Sequence, residues 1–220
     1  MSQLTDAELA AKTEIAFWKP VAMAREFAAL CASVRERGAR ALCVNGSRVM
    51  LAAAGLEESP VQLVALIGFP LGTVDSDVKR YEAEVAIDFG AQEIELVLNL
   101  DHLKNGTAKA MLREIHDVVE AVDERHVCAV LETRALTRAE IVKVCEQLSD
   151  SGIKSVSTGT DFWPDARVDV DDIKALRDAL EPKIAIKAVG NIRDAAAARE
   201  LIAAGAARIG TTQIGLLKKD

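Results

Sequence analysis

Several residues able to do chemistry stand where an apolar run of this chain gives way to turn residues. Lys187 lies inside the run Ile184–Val189, where an ammonium is costly unless the surroundings are polar. Glu95 lies in a similar run that ends at Asn99, and Glu132-Thr133 end another. Lys154 stands beside the small-residue run Ser155-Val156-Ser157-Thr158-Gly159, and Gly210, Thr211 and Thr212 close the last apolar stretch. Carboxylates of this kind move protons, and a lysine amine, when neutral, attacks carbonyl carbon. Lys19, Asn45 and Phe69-Pro70 complete the set.

The elements that must position these residues are legible from periodicity. Strands are expected at Glu14–Trp18, Leu42–Asn45, Leu63–Gly68, Ile94–Asn99, Val127–Glu132, Ile153–Ser157, Ile184–Val189 and Arg208–Thr211. Helical patterns cover Ala22–Arg37, Ser76–Phe89, Ala108–Asp123, Arg138–Ser149, Asp169–Leu180 and Ala195–Ala204. Thr137 and Glu140 have capping-box spacing, and Asp194 opens an alanine-rich helix. Gly38, Gly90, Gly152 and Gly205 stand where helices end. Repeated strand–helix alternation in 220 residues predicts a single-domain α/β fold, a closed (β/α)8 TIM barrel spanning 1–220, over a doubly wound open sheet. In such a barrel the chemistry gathers where strands end and the following loops begin.

Composition narrows the function classes. Half the residues are apolar and few are aromatic, which suits strands buried on both faces. A net charge of −7 argues against nucleic-acid binding, which needs a clustered basic face. Cys31, Cys43, Cys128 and Cys145 lack zinc-ligand spacing and read as reduced, buried thiols. Met1 to Lys12 is polar and mixed in charge, unlike a signal peptide, and no apolar run is long enough to span a membrane. A cytoplasmic protein is expected.

Four segments carry a family resemblance. They are "ALCVNGSRVMLA", "LIGFPLGTVDSDVKRYEAEVAIDFGAQEIELVLNLDHLKNG", "LETRALTRAEI" and "IAIKAVGNIRDAAAARELIAAGAARIGTT". Together they resemble the deoxyribose-phosphate aldolase family from about Glu14 to Leu217. The resemblance implies reversible cleavage of 2-deoxyribose 5-phosphate to glyceraldehyde 3-phosphate and acetaldehyde, through a lysine imine and without metal or cofactor. It implies a small phosphorylated sugar or aldehyde as the partner molecule, and a homodimer. Lys187 matches the seventh-strand lysine that, in the family, depresses the pKa of the imine-forming one. Glu95 matches a fourth-strand aspartate that shuttles protons, but reaches about 1.4 Å further. The implied phosphate-binding residues are Gly159, Gly190, Asn191, Gly210, Thr211 and Thr212. Asn191 replaces a glycine and is the best-tolerated substitute if φ is positive. Glu14 and Lys19-Pro20 read as scaffold or rim.

The sixth strand departs from the family pattern. Its imine-forming lysine falls at Ser155 or Ser157, depending on register, and serine cannot form an imine. Ser155 and Ser157 share one face of a strand, whereas Lys154 faces the other way unless the strand slips or bulges. Three functions therefore stay open. One is an aldolase using Lys187 or a repositioned Lys154. Another is a non-catalytic sugar-phosphate binder. The third is a barrel enzyme that transfers protons through Glu95 and His102.

Overall fold

The expected strands form a closed parallel barrel in a computed structural model that describes residues 4–123 and 125–218. The first three residues of the polar N-terminal stretch lie outside the described part. The strands are β1 (Thr13–Phe17), β2 (Ala41–Asn45), β3 (Gln62–Ile67), β4 (Glu93–Val97), β5 (His126–Val130), β6 (Ser155–Ser157), β7 (Ala185–Val189) and β8 (Arg208–Thr211). Each pairs with its sequence neighbours, and β1 closes on β8 through Glu14 opposite Gly210.

The helices are α1 (Asp6–Ala10), α2 (Ala24–Glu36), α3 (Val49–Gly55), α4 (Ser76–Asp88), α5 (Leu100–Lys104), α6 (Ala108–Ala121), α7 (Arg138–Leu148), α8 (Val170–Ala179) and α9 (Ala195–Ala203). The Thr137–Glu140 capping box forms at α7, and Asp194 caps α9 by accepting from the Ala197 N–H. Gly38, Gly90, Gly152 and Gly205 all adopt positive φ after helices. Helices α1, α3 and α5 were not expected; at five to seven residues each is too short to show a 3.6-residue period. Among the described residues, no helix is long and apolar enough to cross a membrane. All four cysteines are free and buried.

Side-chain alternation divides the core into two layers. Ile15, Leu42, Val44, Ile94, Leu96, Val127, Ala129, Val156, Ile186 and Ile209 pack outward beneath the helices. The barrel interior holds a smaller cluster of Ala41, Cys43, Val64 and Leu66, with Ala16, Trp18 and Phe69 against it. The remaining interior is polar. At the N-terminal end Arg40 and Arg208 both pair with Glu93, the latter at 2.8 Å. His126 Nε2 meets Ser155 Oγ there at 2.8 Å.

Burial, reinforced by the charge of Arg208, lowers the pKa of His126 to about 4. An unfolded chain takes up this proton near pH 6.5, whereas the folded chain resists until about pH 4. The unfolded state therefore binds more protons in that window, and stability falls as pH drops through it. Denaturant midpoints measured between pH 7 and pH 4 should decline less steeply in His126→Gln than in the unsubstituted chain. Parallel profiles would assign the acid sensitivity to other groups.

Candidate active site

The centre of the barrel is a cation held between two acids. Lys187 projects inward from β7, and its ammonium donates hydrogen bonds to both Glu14 of β1 and Glu95 of β4. All three side chains are buried. Three features of the chain produce this arrangement. Lys187 alternates with the outward Ile186 and Ala188, so strand parity turns it inward. Glu14 and Glu95 likewise alternate with the outward Ile15, Ile94 and Leu96. Gly210 on the adjoining β8 leaves the space: a Cβ there would lie 2.8 Å from Lys187 Cε and 2.7 Å from Val189 Cγ2.

The cluster has further polar members. Cys43 Sγ lies 3.8 Å from Glu95 Oε2 as a weak donor. Burial, with the negative charge of Glu14, raises the Cys43 pKa far above its usual value, so the group is a thiol. Ligand atoms of Glu14, Cys43 and Glu95 lie within 4.8 Å of one another, a spacing that suits a cation. Lys187 already supplies that cation. Glu14 Oε2, Trp18 Nε1 and Asn45 Oδ1 are buried at the β1–β2 side without a hydrogen-bond partner. Buried polar atoms are seldom left so, and a hydroxylated ligand has the donors and acceptors to satisfy them.

Aromatic rings stand over this cluster at the strand ends. Trp18, Phe69 and Phe162 form a triangle with centroids 5.5 to 5.9 Å apart, and Trp163 adds an edge contact to Phe162 at 5.7 Å. Two cavities flank the triangle. One of about 430 Å³ lies beside Trp18, Lys19 and Thr212. The other, about 320 Å³, lies among Pro70, Leu98, Glu132, Arg134 and Trp163. Lys187 lines neither.

Residues 5–162 match the model of the DeoC/LacD family aldolases. The chain belongs to this aldolase family. It is 37% identical over 196 residues to the deoxyribose-phosphate aldolase of Natranaerobius thermophilus, covering 89% of each chain. It is 38% identical over 198 residues to that of Thermococcus kodakarensis, covering 88% of each. Among solved structures, "QR15, an Aldolase" superposes with a TM-score of 0.89 at 30% identity, covering 94% of this chain and 92% of the other.

The aldolase barrel places the residues singled out from sequence unequally. Lys187 and Glu95 meet. Glu14, read from sequence as scaffold or rim, is the second acid on the amine, and the reading is corrected accordingly. Its signal was available: an acid sharing strand parity with Ala16 and Trp18 faces the interior. Lys154 stays outside the site. It is exposed, its backbone pairs regularly with Val127 and Ala185, and no slip or bulge turns it inward. Ser155 takes the inward position and is spent on His126. His102, on α5, hydrogen-bonds Thr107 at 3.3 Å and is not brought to the amine.

The residues matched to a phosphate handle are largely occupied from within. Asn191 does adopt positive φ, at 53°, and its N–H donates to Asp161 Oδ1 at 2.6 Å. A Cβ on Gly190 would lie 2.5 Å from the Arg167 carbonyl carbon, so the β6–α8 loop roofs that turn. Gly159 faces the Glu132 carboxylate, whose Oε2 lies 3.0 Å from where its Cβ would be. The Thr211 hydroxyl donates to the Ile192 carbonyl at 2.8 Å. Gly210 serves the packing of Lys187, and Thr212 borders the larger cavity.

Proposed function

We propose that this chain is a carbon–carbon lyase that cleaves or forms an aldol through an imine on Lys187. The reading takes its reaction class from the deoxyribose-phosphate aldolases it resembles. One observation carries the choice of amine. Of the two buried lysines among the described residues, Lys187 alone lies inside the barrel, since Lys79 sits on α4 against Glu114. Imine formation needs a neutral amine, and a carboxylate in contact is the base that takes the ammonium proton. The amine then adds to the substrate carbonyl to give a carbinolamine. A protonated carboxylate helps expel the hydroxyl as water, leaving an iminium. Breaking the bond between the α and β carbons sends its electron pair into the iminium as an enamine, while a base removes the β-hydroxyl proton and releases an aldehyde. Protonation of the enamine carbon and addition of water release the second carbonyl product and return the amine. Glu14 and Glu95, both in contact with Lys187, are the groups placed for these transfers.

A second reading rests on the same contacts. Both carboxylates accept hydrogen bonds from the Lys187 ammonium, and an ammonium held in this way has no lone pair with which to attack a carbonyl. Lys187 is then a fixed cation in a barrel that binds a carbonyl compound or moves its protons without an imine. Borohydride reduction in the presence of acetaldehyde, followed by peptide mass spectrometry, separates the two. The aldolase reading expects a reduced adduct on Lys187. A chain left unmodified under conditions that label a deoxyribose-phosphate aldolase control would sink the imine.

A further inference from the structure

The turns after β6 and β7 are where a barrel usually presents backbone N–H groups to a phosphate. In this chain two such N–H groups already donate to carboxylates of the chain itself. Thr160 N–H donates to Glu132 Oε1 at 2.8 Å, and the Thr160 hydroxyl donates to the same oxygen. Asn191 N–H donates to Asp161 Oδ1 at 2.6 Å. Asp161 itself adopts a left-handed φ of 60°, a conformation that disfavours most side chains, and it faces the charge of Arg193. Glu132 also adopts a left-handed φ, of 46°. Strained backbone at both acids places a carboxylate on each turn.

We propose that this pair of turns is a self-filled anion subsite, in which Asp161 occupies the place of a substrate phosphate and selects for substrates without an anionic end. A phosphomonoester brought to Asn191 must displace the Asp161 carboxylate or lie in contact with it, and like charges at that range repel strongly. Arg193, the cation at this turn, donates to Asn191 Oδ1 and already faces Asp161, and the other neighbouring groups are engaged elsewhere. Arg134 is spent on Asp165, the Thr211 hydroxyl on Ile192, and Gly190 is covered by the Arg167–Val168 backbone. What the mouth offers instead is an apolar and aromatic surface beside already engaged charges: Phe162 and Trp163 are partly exposed, and Pro70, Leu71, Leu98 and Leu100 line the adjoining cavity together with Glu132 and the paired Arg134 and Asp165. That surface suits an aldehyde or hydroxyketone with a neutral tail. The proposal rests on reading this mouth as the substrate site, and deepens the aldolase reading by naming the substrate class.

Amide NMR with inorganic phosphate tests it without any turnover. Thr160, Gly190 and Asn191 should stay unmoved by millimolar phosphate in the unsubstituted chain. They should shift saturably in Asp161→Asn, which tolerates the left-handed φ, and in Asp161→Gly, with affinity raised at least roughly tenfold by loss of one contact charge. Saturable binding of equal strength in all three chains overturns the proposal. So does a lack of response in both variants, since Asp161 is then not what keeps phosphate out. Phosphate forms no imine, so this result and the borohydride result fail independently.

Discussion

Replacing Lys187 with methionine is expected to remove about 3–5 kcal/mol of folding stability and every trace of borohydride-trapped adduct. The stability loss follows from what is left behind. Glu14 and Glu95 are both buried against the ammonium, and without it they are left as uncompensated charges. Cys43 is a thiol and offers only a weak bond at 3.8 Å, too little to replace a cation. The companion variant Glu14→Gln/Glu95→Gln/Lys187→Met removes all three charges and should recover most of the loss, because neutral groups of similar volume replace buried ion pairs with little penalty. Urea denaturation measures both. If Lys187→Met unfolds at the same midpoint as the unsubstituted chain, the clamp contributes nothing and the carboxylates are solvated or protonated in the folded state. The adduct and the stability are separate readouts: a fixed, unreactive cation loses stability on substitution but has no adduct to lose.

A second large effect is expected outside the barrel. Lys79 on α4 is fully buried and donates to Glu114 Oε2 at 2.7 Å and to the Val97 carbonyl at 2.9 Å. Glu114 Oε1 in turn accepts the Asn99 N–H at 3.3 Å. The pair therefore ties α4 and α6 to the end of β4, the strand that carries Glu95. Burial lowers the Lys79 pKa, with the charge of Glu114 opposing it. Lys79→Met strands the Glu114 carboxylate, and a loss of about 3–5 kcal/mol is expected by chemical denaturation. Lys79→Met/Glu114→Gln should be much closer to the unsubstituted chain, because glutamine keeps an acceptor for Asn99 without a charge. Equal losses in the single and double variants would show that the lysine acts through packing and its Val97 bond. Gly68 leaves room for this lysine: its φ is 68°, and a Cβ there would lie 2.8 Å from Lys79 Cε.

Much of the fold was readable because its signals are local. Alternation within five residues is enough to turn Lys187, Glu95 and Ser155 inward and Lys154 outward, and the observed strands keep that parity. Caps at Thr137 and Asp194 are likewise set by neighbours three residues away. Helices α1, α3 and α5 escaped the reading because one or two turns carry no measurable period.

The site divides along the same line. The sequence alone points to a lysine and an acid entering the barrel on β7 and β4, whereas the possibility that Lys154 also enters on β6 was closed only by the regular pairing of that strand with β5 and β7. Which groups meet Lys187 was decided by closure of the barrel. Glu14 is 173 residues away in sequence, and pairing of β1 with β8 delivers it to the amine. The same holds for Asp161, thirty residues before Asn191, and for the Trp18–Phe69–Phe162 triangle drawn from three loops. Spacing fixes the face a side chain presents, whereas its partner across the barrel depends on the register of all eight strands together. The sequence thus determined that a lysine sits at the centre of this aldolase barrel; only the tertiary structure decided that two carboxylates hold it there.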